Sequence, residues 1–250
     1  MTLDLNGAMV RLGNDVALFE VGQIYRDDTP DGQVMVAAGV RLGNAVLAGS
    51  GRHWSATAPT AGVFEAKADV VALLAGLGFD ANRAQVARAA PAWFHPGRSG
   101  VLRLGPKTVL AVFGEIHPEV LATLDVSGAA AAFEVYLDAL PRDKKKGVAR
   151  AALKLADLLA VRRDFAFVLD RDVAAQEVVK AVLAADKKLI SAVNVFDLFE
   201  GASLGAGKKS LALEVTLQPT EKTLTDEEIE AVAARVVAEV KKLTGGEIRS

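Results

Sequence analysis

Between residues 163 and 249 the apolar positions switch repeatedly between a period of two residues and helical spacing, and a run of short segments like that admits very few folds. Arg163 to Asp170 reads as a strand. Val173 to Ala185 reads as a helix with Val178, Val179, Val182 and Leu183 on one side, and Leu189 to Phe199 and Ser210 to Gln218 read as further strands. The stretch Glu200 to Lys208 is rich in glycine and suits a hairpin connection. Thr225 can cap a last helix, with Glu228 three residues on and early acids at the positive end of the dipole. That helix runs to about Leu243, and after Gly245 and Gly246 the residues Glu247 to Ser250 can add a short final strand.

The order β-α-β-β-α-β is the ferredoxin-like arrangement, in which two helices cover one face of a four-stranded sheet and leave the other bare. Strand alternation then assigns the faces. Leu211, Leu213, Val215 and Leu217 point to the helices, so Ser210, Ala212, Glu214, Thr216 and Gln218 point outward. In the first strand Phe165, Phe167 and Leu169 are core and Ala166 faces out, leaving room for a flat ligand near Ala166 and Ser210. Topology alone does not decide between a binding face and a merely polar one.

The first half has a different pattern, with strand-like runs at Ala17 to Tyr25, Val34 to Arg41, Val101 to Leu104, Val109 to Phe113 and Ala131 to Leu137, punctuated by glycine and proline. An antiparallel sheet is expected. Phe64 to Leu77 places Val70, Val71, Leu74 and Leu77 at helical spacing, with Gly78 as its stop, and a shorter helix starts at Pro118. The whole is therefore an α+β chain with expected domains at 1–140 and 153–250, joined by a polar linker at 141–152. Lys144, Lys145 and Lys146 read as solvated linker residues.

Composition narrows the chemistry. With no cysteine and only three histidines, none closely paired, thiolate catalysis, disulfides and Cys-based zinc sites are excluded, and a hydrolytic metal site is not expected. No apolar run is long enough to cross a bilayer and the start lacks a secretory pattern, which points to a cytoplasmic protein without a membrane partner. The net charge is −2, and residues 151–250 carry 14 Lys and Arg against 16 Asp and Glu. Any contact with RNA must then rest on stacking and shape more than on a basic field.

Four ordered blocks go beyond topology: Arg163-Asp-Phe-Ala-Phe-Val168, Phe196-Asp-Leu-Phe199, Lys208-Lys-Ser-Leu211 and Thr223-Leu-Thr-Asp226, with Glu247-Ile-Arg249 behind them. They resemble the ferredoxin-fold anticodon-binding domain of phenylalanyl-tRNA synthetases. Leu18-Phe-Glu-Val-Gly22, Phe64-Glu-Ala-Lys67, His95-Pro-Gly-Arg-Ser99 and Gly114-Glu-Ile-His-Pro118 resemble the adjoining part of the bacterial β subunit. That part is a class II synthetase-like module without the catalytic residues. The resemblance implies a noncatalytic piece of a phenylalanine–tRNA ligase, with phenylalanine tRNA and a catalytic α subunit as partners in an (αβ)2 assembly. It implies no cofactor in this stretch, since ATP belongs to the α subunit and magnesium to other regions of the full enzyme. The chain is expected to be a C-terminal fragment.

The resemblance also assigns a site. Phe199, where the family usually has tyrosine, would stack on an anticodon base, with Ser210 and Ala166 beside it. Arg162, Arg163, Lys208, Lys209 and Arg249 would supply phosphate contacts, an internal ion pair with Asp164 or Asp197 being the rival for Arg163. Ala160 departs from a frequent proline. His95 and His117 read as turn and helix-start residues, and Trp54 and Trp93 as packing or interface residues. Two other readings stay open: a scaffold that binds only protein, and an acylphosphatase-like enzyme using Arg171 and Asn194, although the acidic Asp170-Arg171-Asp172 loop lacks phosphate-cradling glycines.

Overall fold

The structure, a computed structural model, describes residues 15–45, 59–141 and 156–249. The expected linker lies almost wholly outside the described residues, as do Trp54 and Lys144 to Lys146. The chain divides into two compact units, Met1–Lys145 and Lys146–Ser250.

In the first unit the strands β1 (Val16–Tyr25), β2 (Gln33–Leu42), β3 (Gln85–Ala87), β4 (Phe94–Leu104), β5 (Thr108–Ile116) and β6 (Ala130–Tyr136) form one antiparallel sheet in the order β1-β2-β6-β5-β4-β3. Helix α1 (Val63–Gly76) lies on one face and buries Ala66, Val70 and Leu74 against Leu110, Ala111, Phe113, Ala131 and Val135. Glu65 closes its first turn by accepting the Gly62 N–H at 2.8 Å, and Gly78 ends it with φ +80°, which a side chain would strain. Val71 and Leu77, expected on the apolar stripe, are exposed. The strip that touches the sheet is narrower than the run of apolar letters suggests. On the other face the short α2 (Pro118–Thr123) sets Leu121 against Val16, Val40, Leu42 and Val126.

Two details differ from the expectation of separate strands and turns. The His95-Pro96-Gly97-Arg98 segment sits inside β4, where the pairing with β5 shifts between Phe94 and Ser99. The turn chemistry is present, but it makes a bulge within a longer strand. Short β3 has no alternation to announce it. At the end of β6, the Tyr136 hydroxyl donates to Glu134 at 3.1 Å, with the Arg26 guanidinium 5.3 Å from the ring centroid.

The second unit has the order read from the sequence. Strands β7 (Val161–Asp170), β8 (Ile190–Phe199), β9 (Lys208–Leu217) and β10 (Glu247–Ile248) form an antiparallel sheet ordered β10-β7-β9-β8. Helices α3 (Ala175–Ala185) and α4 (Asp226–Thr244) pack on one face, where Val178, Val182, Val232, Val236 and Val240 meet Phe167, Leu169, Leu211, Leu213 and Val215. Leu183 turns out exposed instead of joining them. The α4 capping box is complete, since Thr225 Oγ1 accepts the Glu228 N–H at 3.3 Å and Glu228 accepts the Thr225 N–H at 2.9 Å. Gly245, at φ +69°, reverses the chain so that β10 can pair with β7.

The registers decide which side chains share a face. Ala166 stands opposite Ala212, and Ser210 stands between Val168 on β7 and Phe199 on β8, all on the face without helices. Strand β8 reaches that arrangement only through irregularities. Its ladder runs regularly from Ala192 to Val195, opposite Thr216 to Leu213, and then resumes at Asp197 opposite Ala212, leaving Phe196 as an extra residue. A one-residue slip exchanges faces. Without Phe196 in the bulge, Asp197 and Phe199 would follow Val193 and Val195 toward the helices.

Two outcomes are expected. Truncating the fully buried Leu213 to alanine should destabilise the second unit by about 2–5 kcal/mol in urea unfolding, whereas a loss below about 1 kcal/mol would mean that the site is not close-packed. Burial, reinforced by Glu134, pushes the Tyr136 hydroxyl up to about 12. The folded state thus holds a proton that the unfolded chain releases from about pH 10 upward. The stability that this tyrosine contributes should be constant below pH 10 and fall between about 10 and 12, a decline that Tyr136→Phe should remove.

Candidate nucleic-acid interface

The helix-free face of the second sheet is floored near its centre by Ala166 and Ala212, two methyl groups from neighbouring strands. Phe199 bounds this floor on one side. Its ring is 40% exposed, yet the Ser210 opposite it is only 3% exposed, although it lies on the face without helices. The ring has close neighbours on two sides. A Cβ built on Gly201 would fall 2.6 Å from Phe199 Cζ, so only glycine lets the chain pass there with the ring in place. The Arg249 guanidinium carbon lies 5.3 Å from the ring centroid, within cation–π range. Arg249 is itself anchored through its backbone N–H, which donates to Ala166 O at 2.7 Å.

The pleat separates the five basic residues named from the sequence. Arg162 belongs to this face, its Nη1 3.7 Å from Glu214, and so does Lys208, whose Nζ is 2.7 Å from Asp170 across the ladder. Arg163 and Lys209 do not. Neighbours along a strand point to opposite faces, so of Arg162 and Arg163, and of Lys208 and Lys209, only one each can face outward. Arg163 pairs with Glu230 of α4, not with Asp164 or Asp197. Lys209, 8% exposed, turns inward and donates to the carbonyls of Arg171 and Val173.

Of the acids on this face, alternation in the sequence sets only Glu214 outward by name. Register brings Asp164 directly opposite Glu214, with Asn194 on the far side of Glu214, and places Asp197 opposite Ala212. Asp170 completes a face on which carboxylates at least match the cations. Asp197 was the hardest to foresee, because it depends on the Phe196 bulge, which alternation does not announce. Such a face draws a polyanion weakly from afar, and flat apolar contact is its main resource.

The remaining candidates resolve locally. His95 Nδ1 accepts the Gly97 N–H at 3.0 Å and His117 Nδ1 accepts the Glu119 N–H at 3.3 Å, so both imidazoles stabilise backbone turns. Arg98 is paired with Glu115. Trp93 is half exposed beside Phe94, their ring centroids 6.4 Å apart. Arg171 and Asn194, the pair needed for phosphatase chemistry, are not brought together. Arg171 follows the β7 end and pairs with Glu200, whereas Asn194 lies at the level of Asp164, on the order of 20 Å away at 3.3 Å per residue. Among the described residues no group of three or more His, Asp or Glu is gathered for a metal ion. No helix among them is long and apolar enough to cross a membrane.

Comparison with known proteins fits this geometry. Residues 157–249 match the family described as ferredoxin-fold anticodon binding domain, and residues 8–137 match the phenylalanyl tRNA synthetase beta chain CLM domain. The chain is 57% identical over 236 residues to a phenylalanine–tRNA ligase beta subunit of Mesorhizobium japonicum, covering 94% of this chain and 29% of that protein. It is 55% identical over 237 residues to the beta subunit of Brucella abortus, covering 94% and 30%. The corresponding subunit of Bradyrhizobium diazoefficiens is 52% identical over 237 residues, covering 94% and 29%. The chain thus spans about three tenths of the length of these relatives.

The contact between Arg249 and Phe199 can be read directly by NMR. The Arg249 side-chain protons should be displaced upfield by the ring current and should relax toward ordinary positions in Phe199→Leu, whereas identical Arg249 signals in the two proteins would show that the guanidinium does not lie over the ring.

Proposed function

From the premise that this chain belongs to the phenylalanyl-tRNA synthetase β-chain family, we propose that its second unit binds the anticodon of phenylalanine tRNA on the helix-free sheet face. The observation that carries this reading is the placement of Phe199. A half-exposed aromatic ring sits at the border of a floor of two methyl groups, on the face opposite the helices, with a guanidinium already lying over it. Every base offers a flat π surface to such a ring, and the small side chains of Ala166 and Ala212 leave space beside it. The nearby carboxylate of Asp197 provides a hydrogen-bonding group for the edge of the base, with Ser210, 3% exposed, opposite the ring. Arg162, Lys208 and Arg249 are the cations placed to meet phosphates, the first two by exchanging a protein carboxylate for a nucleic-acid oxygen.

The first unit, in this proposal, is a noncatalytic support for the catalytic α subunit in a cytoplasmic (αβ)2 heterotetramer. The α subunit would bind ATP and phenylalanine, and magnesium would be held elsewhere in the full enzyme. The edge strand β1 and helix α1 favour a protein partner, since Phe19 and Phe64 are 80% and 78% exposed and Val21 and Tyr25 also lie open. Phe19, Val21 and Tyr25 share one face of β1 by alternation, and exposed apolar side chains side by side are a recurrent sign of an interface. This same surface supports the narrower reading, in which the chain binds protein alone.

Titration of labelled phenylalanine tRNA against the chain separates these readings. Phe199→Ala should weaken binding about 5- to 150-fold, the equivalent of roughly 1–3 kcal/mol for one stacked base, without unfolding the sheet. A tRNA with a substituted anticodon should bind less well to the unaltered protein. Equal affinity for both tRNAs would reject base recognition and leave the protein-binding role.

A further inference from the structure

Lys209 is a buried cation that the proposed RNA contacts do not use. It stands opposite Leu169 on the helix-covered side of the sheet, only 8% exposed. Removing an ammonium from water is costly unless its donors are satisfied, and here two of its hydrogen bonds go to one short segment. Nζ donates to Arg171 O at 2.9 Å and to Val173 O, which fastens the loop between β7 and α3 to β9. That loop in turn holds the connection between β8 and β9. The Arg171 N–H donates to Gly207 O at 2.8 Å, and Arg171 Nη2 lies 3.2 Å from Glu200 Oε2. Glu200 directly follows Phe199, and Gly201 packs against the Phe199 ring.

We propose that Lys209 is a positioning residue for nucleotide binding: from the far side of the sheet it fixes, through Arg171, the loop that sets the Phe199 ring, and it makes no contact with RNA. The proposal rests on the reading of the preceding section. It explains why two adjacent lysines have different duties. Lys208 stays in solution beside the open face with Asp170, and Lys209 is spent inside.

Binding of labelled phenylalanine tRNA to the full chain, measured across a range of salt concentrations, tests this. Lys209→Met, checked by circular dichroism to be folded at the assay temperature, should bind about tenfold more weakly. Its plot of log affinity against log salt should keep the original slope, because no phosphate contact is lost. In a Phe199→Ala background the same change should have no further effect. A slope reduced by about 0.7–0.9 would make Lys209 a phosphate contact, and a loss that adds fully to that of Phe199→Ala would make its role independent of the ring; either overturns the proposal, as does unchanged affinity. If Phe199→Ala itself binds normally, it is the anticodon reading that fails.

Should Lys209→Met not fold, exposed Glu200 provides a second route. Removing an acid near a polyanion favours binding on electrostatic grounds alone. Glu200→Ala should nevertheless weaken binding, and only while the Phe199 ring is present. Tighter binding, or a loss that persists in Phe199→Ala, would overturn the proposal as firmly.

Discussion

The two-residue pleat of the second sheet, broken in β8 at Ser191 and again at Phe196, is the constraint on which the rest depends. A strand offers each side chain one of two faces, and everything said about this surface follows from that parity. It sends Phe165, Phe167 and Leu169 into the core and Ala166 outward, and it splits each basic pair so that one member serves the outer face and the other the inner. The insertion at Phe196 reverses the assignment for the last three residues of β8. A phenylalanine that regular alternation would commit to the core is thereby delivered to the opposite surface. Bulges recur where a strand must re-aim a side chain, and here the re-aimed side chain is the ring at the edge of the bare floor.

The electrostatics of that surface set the style of recognition open to it. Asp164, Asp170, Asp197 and Glu214 share a face with Arg162, Lys208 and Arg249, and two of these cations are already engaged by carboxylates. A chain with a net charge of −2 has no long-range pull on RNA to make up the difference. The proposed RNA contact would then come at short range, from flat surfaces and well-placed donors and acceptors, with the positive groups adding register more than attraction.

The order of elements in the second unit was legible because each signal had its own cause. Alternation marked β9, the capping box marked α4, and Gly245 marked the reversal before β10. Faces were legible wherever alternation was unbroken, which is why Ala166 and Ser210 were placed from sequence and Asp197 was not. Arg163 and Lys209 fall on the other face for a different reason: the resemblance names basic letters near a site, and letters carry no direction until strand parity is applied to them. In the first unit, β4 was read too short because a proline and a glycine in sequence look like a turn whether or not a strand continues through them. Val71, Leu77 and Leu183 were read as core on spacing alone, although the width of the covered stripe depends on how closely the neighbouring strands approach.

The guanidinium resting on Phe199 has a thermodynamic corollary. A bare ring would shed ordered water when a nucleobase settled on it, and the loss of that hydration would register as a marked drop in heat capacity. Here one side of the aromatic plane is already partly covered by Arg249. A base that takes the place of Arg249 exchanges one planar neighbour for another, so calorimetry of association would show a shallow temperature dependence, with the enthalpy of the exchanged contacts outweighing the release of solvent.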